Sequence, residues 1–63
     1  MNFTYKKIDG QEVWTYRNHY IYSFTIRMSG EYYQMGILKS HVLLYQFRFK
    51  TMEEIANFIT INY

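Results

Sequence analysis

Sixty-three residues with eight tyrosines, five phenylalanines and one tryptophan make one domain at most, and a chain this short buries only about 60% of the surface it exposes unfolded. With no cysteine and no histidines beyond His19 and His41, disulfides and a bound metal are excluded as staples, so aromatic mass is left to build the core. A formal net charge of +2 is too small to name a partner, and the longest apolar run, Val42 to Tyr45, falls far short of the ~20 residues of a membrane span.

The chain enters a strand-like pattern at once, Met1-Asn2-Phe3-Thr4-Tyr5, without the basic start and apolar stretch of a secretory leader, and a cytoplasmic location is expected. Alternation predicts a first strand over 3–8 and a second over 12–17. Between them lies Asp9-Gly10, two residues that tolerate the positive φ of a tight hairpin turn. That turn opposes Tyr5 to Trp14, Phe3 to Tyr16 and Lys7 to Glu12. After a weaker break at Asn18-His19, a third strand over 20–28 points Tyr20, Tyr22, Phe24, Ile26 and Met28 one way, with Ile21, Ser23, Thr25 and Arg27 the other way.

A two-residue turn at Ser29-Gly30 leads into a fourth strand over 31–38 and opposes Ile26 to Tyr33, Phe24 to Met35 and Tyr22 to Ile37. A fifth strand, 42–49, requires an odd-length connection at Lys39-Ser40-His41 to bring Ile37 to Leu43, Met35 to Tyr45 and Tyr33 to Phe47. The same parity argument asks for an odd loop at Arg17-Asn18-His19. Thr51 stands three residues before Glu54, the capping-box spacing, and Glu53 and Glu54 suit the positive end of a helix dipole. Met52, Ile55, Phe58 and Ile59 then form an apolar stripe at helical spacing. The expected fold is α+β: a five-stranded antiparallel β-meander with one C-terminal α-helix packed on one face, a single domain over 1–63.

One helix of about 11 residues is roughly 16 Å long and 10 Å across, less than five strands at ~4.8 Å spacing require. The excess rings, Phe3, Tyr5, Trp14 and Tyr16 on the first hairpin, therefore call for sheet curling, a second copy in a homodimer, or a partner.

The opposite face gathers Lys6, Arg17, Arg27, Arg48 and Lys50 with no carboxylate, and adds Tyr32, Gln34 and Gln46. Lys and Arg release counterions from phosphates, while Arg and Gln can read guanine and adenine edges. Nucleic acid, or a complex that handles it, is the expected partner. The plain alternative is a solvated face whose long stems cover Ile21, Leu38 and Leu44.

Three antiparallel strands leading through Phe49-Lys50-Thr51-Met52-Glu53-Glu54-Ile55 into a terminal helix resemble, over 20–63, the arm-binding N-terminal domain of phage and transposon integrases. That domain is itself similar to the plant ethylene-response DNA-binding domain. The resemblance implies a sheet laid in the DNA major groove, with contacts at Arg27, Tyr32, Gln34, Gln46 and Arg48; the first hairpin lies outside it. The wealth of Phe, Tyr, Ile, Asn and Lys points to an AT-rich genome, such as that of a low-GC bacterium or its phage. As a package the chain also resembles small phage-made inhibitors, anti-CRISPR proteins among them, which implies protein–protein contact with a host defence nuclease.

Catalysis is not expected. There is no cysteine nucleophile, metal cluster or Gly-rich phosphate loop. His19 and His41 fall in predicted turns, and Glu53 and Glu54, adjacent on a helix, point to different sides. No cofactor is expected.

Overall fold

The computed structural model describes residues 1–17 and 21–63. In it β1 (Thr4–Ile8), β2 (Gln11–Arg17), β3 (Tyr22–Ser29), β4 (Tyr32–Lys39) and β5 (Val42–Phe49) precede α1 (Met52–Asn62). The strands lie antiparallel in one open sheet in chain order, the α+β meander expected. The break at Asn18-His19, the strand start at Tyr20 and the loop beyond Arg17 lie outside the described residues.

The first hairpin follows its turn chemistry. Asp9 and Gly10 take φ of 52° and 80°, the paired positive values of a type I′ turn whose twist suits the flanking strands. Tyr5 accordingly faces Trp14, and Lys7 faces Glu12.

The next hairpin departs from expectation. Its turn is Gly30-Glu31 rather than Ser29-Gly30, with Ser29 paired to Tyr32. Gly30 supplies the positive φ, 63°, at the first central position, where a type II′ turn wants glycine. Pairing therefore moves by two residues: Ile26 faces Met35, Phe24 faces Ile37, and Tyr22 faces Lys39. A shift of two keeps every side chain on its face, so the apolar set stays together.

Between β4 and β5 the expected odd loop is replaced by two devices. Ser40 and His41 form a two-residue turn with φ of 51° and 68°, between the paired residues Lys39 and Val42. A β-bulge then shifts the register, since Leu38 faces Leu43 but Ile37 faces Tyr45, leaving Leu44 as the extra residue. The bulge makes the change of parity that an odd loop would have made. Leu43 thereby leaves the helix side expected for it, and the partners of Met35 and Tyr33 become Phe47 and Phe49.

The core lies between sheet and helix. Phe24, Ile26, Met35 and Ile37 pack with Ile55 and Ile59, all essentially without solvent exposure; each such side chain contributes about 1.5–3 kcal/mol. Phe58 sets its ring 5.1 Å from Phe47 and 5.4 Å from Phe49. The helix starts as its sequence dictates: Thr51 Oγ1 accepts the Glu54 N–H at 3.1 Å, and Glu54 Oε1 accepts the Thr51 N–H at 3.1 Å. The same carboxylate also takes the Lys50 N–H at 3.2 Å, which joins the end of β5 to α1.

The surplus rings of the first hairpin form a train toward this core. Phe3 meets Tyr16 at 5.8 Å, Tyr5 meets Trp14 at 5.5 Å, and these lead to Tyr33 and Phe24 at 5.6 and 5.9 Å. Phe3, Trp14 and Tyr16 are partly buried against the core. Tyr5, at the outer strand, stays 50% exposed.

Candidate functional site

Register across four ladders builds the face opposite the helix. Lys6 faces Val13, Val13 faces Arg27, Arg27 faces Gln34, and Gln34 faces Arg48. Cross-strand partners share a face, so Lys6, Arg27, Gln34 and Arg48 form a single transverse row. Val13 sits in it between Lys6 and Arg27 and is only 5% exposed, although it lies away from the helix. Its neighbours in the row, Lys6 and Arg27, have the aliphatic stems long enough to cover it.

A second row runs beside the first. Thr4, Thr15 and Thr25 follow one another across the strands, then Gly36 and Gln46. Gly36 leaves a dip in the sheet, since a side chain begun there would meet Leu43 Cδ1 at 3.2 Å. The resulting shallow depression, about 360 Å³, is lined by Thr25 and Gly36 together with Leu38, Leu43, Arg27, Gln34 and Gln46. Gln34 Nε2 donates to Gln46 Oε1 at 3.4 Å, which orients both amides. Arg48 lies 5.7 Å above the ring of Tyr32, a cation–π contact of about 0.5–1 kcal/mol at an exposed site.

The sequence-derived residues thus divide. Lys6, Arg27, Gln34 and Arg48 share the row, Gln46 flanks it, and Tyr32 supports Arg48. Arg17 stands toward one end, in a row with Ser23, Leu38 and Leu43. Lys50 lies beyond the end of β5, where its backbone is tied to Glu54. Phe3, Tyr5, Trp14 and Tyr16 occupy the helix side, apart from the basic face. The threonine row and Leu43 beside Gly36 were not picked out as site features in the sequence. A glycine inside a strand, Gly36, was the available signal for a close approach.

Charge is segregated. Asp9 and Glu31 sit in turns, Glu53 and Glu54 lie on the first turn of α1, and Glu12 accepts the Tyr5 hydroxyl at 3.0 Å. That hydrogen bond, with burial and the carboxylate's charge behind it, holds the Tyr5 pKa above its ordinary value. Among the described residues, no cluster of three or more His, Cys, Asp or Glu side chains is placed to hold a metal ion. No described helix is long and apolar enough to cross a membrane. Compared with protein families, with curated proteins and with solved structures, the chain matches none.

Proposed function

We propose that this chain is a non-enzymatic binding module that engages nucleic acid through its basic sheet face, with β3, β4 and β5 set against the major groove of a duplex. The row of Arg27, Gln34 and Arg48 on three consecutive strands, with every carboxylate off that face, carries the reading. Two strand spacings make that row about 10 Å long, within the ~12 Å width of a B-form major groove. Guanidiniums at its ends suit guanine edges or phosphates, and the central amide suits adenine. The Thr4, Thr15 and Thr25 hydroxyls beside it add neutral donors for phosphate oxygens.

Fluorescence anisotropy with a labelled duplex over a salt series tests this. Affinity is expected to fall with salt, with a log–log slope of about −0.9 per neutralised phosphate. Replacing Arg27→Ala and Arg48→Ala together is expected to weaken binding and flatten that slope by about two. No binding to any duplex at low salt would end the proposal. Co-purification of a host nuclease under those conditions would support the protein-directed, inhibitor-like alternative.

A further inference from the structure

The two edges of the open sheet are protected unequally. β1 is short, five residues, and carries Lys6 and Lys7, the charges that commonly blunt an edge against pairing. β5 is eight residues long, has no proline or lysine, and Arg48 is its sole charge. Leu43, Leu44, Tyr45 and Phe47 are large apolar side chains left exposed there, Tyr45 at 56% and Phe47 at 39%. The bulge at Leu44 interrupts the strand, so the regular stretch open for pairing is Tyr45–Phe49.

We infer that this stretch of β5 pairs antiparallel with the same stretch of a second copy of the chain, about a two-fold axis through Phe47. The fit is specific to this occupant. Centred on Phe47, the pairing sets Tyr45 against Phe49 of the second copy, ring against ring on the helix side. On the other face it sets Gln46 against Arg48 of the second copy, so each guanidinium meets an amide oxygen and no like charges stand directly opposed. The axis runs perpendicular to the sheet, so both helices fall on one side and both basic faces on the other. One sheet continues through the two chains.

The area suffices for association. Tyr45 and Phe47 still expose together roughly 200 Å² per chain. With Leu44, the stems of Gln46 and Arg48 and the unpaired backbone edge, two copies bury on the order of 1,000 Å², the threshold of a specific interface. This inference rests on the edge alone and stands apart from what the basic face binds.

Sedimentation velocity of the intact chain over a concentration series is the primary test, with a dimer of roughly micromolar dissociation constant expected. Gln46→Glu sets a carboxylate opposite Arg48 of the second copy twice per dimer and is expected to tighten it about five-fold; Gln46→Lys is expected to loosen it. The chain has no native cysteine, so Phe47→Cys puts a single thiol on the axis, within disulfide reach of itself. Oxidation of that variant with diamide is expected to give a covalent dimer, whereas Tyr5→Cys on the guarded edge remains monomeric. A chain that sediments as a monomer up to about 1 mM, or Tyr5→Cys cross-linking as fast as Phe47→Cys, would overturn the inference.

Discussion

Arg27 and Arg48 face the same residue, Gln34, from opposite sides of β4, which places both arginines on one line and one face. A carboxylate between them separates stability from binding. Gln34→Glu is expected to stabilise the fold by about 0.2–1 kcal/mol per cross-strand pair formed, seen as a higher urea midpoint. The same change is expected to cost duplex affinity at least about ten-fold, because it lowers the charge of the row by one and repels phosphate. A loss of stability, or unchanged binding, would contradict the account of the face.

The turn Ser40-His41 holds two non-glycine residues at positive φ, 51° and 68°. Such backbone costs on the order of 1 kcal/mol or more per residue outside glycine and asparagine. Replacing the pair with Asn-Gly, Ser40→Asn with His41→Gly, is expected to stabilise the protein by about 1–2 kcal/mol. Calorimetry should register this as a rise in Tm of about 4–8 °C per kcal/mol.

At the start of α1, Thr51→Ala removes the acceptor for the Glu54 N–H. Unfolding by urea is expected to show a loss of about 1 kcal/mol, with Thr51→Ser recovering most of it. Glu54→Ala should be costly as well, since its carboxylate receives the N–H groups of Lys50 and Thr51.

Burial holds the Tyr63 hydroxyl above its ordinary pKa of 10.0, helped by the neighbouring Tyr22 and Tyr45. The folded chain therefore keeps that proton more tightly than the unfolded chain does. Its contribution is complete below pH 10 and is lost as pH rises through the folded value. Denaturant midpoints measured across this window should fall with pH, and Tyr63→Phe, which keeps the ring against Tyr22 and Phe24, should make the fall shallower.

Most of the architecture was legible because side-chain parity is a strong signal. Phe24, Ile26, Met35 and Ile37 share the buried side whichever even shift the hairpin takes, so the core survives an error in the turn between β3 and β4. The capping pair Thr51 and Glu54 is local, and its spacing alone is enough. Less legible was the site where an extra residue is absorbed. A bulge and an odd loop give the same parity, but they differ in the face taken by Leu43 and in the partners of Tyr33, Met35 and Ile37. Val13 shows the other limit: it is buried on the basic face between its cross-strand partners Lys6 and Arg27, a setting that spans two ladders and that no single strand's pattern contains. Alternation puts the rings of the first hairpin on one face, but their train through Tyr33 and Phe24 required the register between β2 and β3.

Because the strands are joined to their chain neighbours throughout the sheet, each ladder closes a short loop and little entropy is spent on distant encounters. Hairpins can therefore zip one after another as the polypeptide leaves the ribosome. The dry side nonetheless stays open to water until Ile55 and Ile59, near the C-terminal end, arrive to close it. Truncations before α1 should consequently give chains with local strand pairing but no cooperative melting transition.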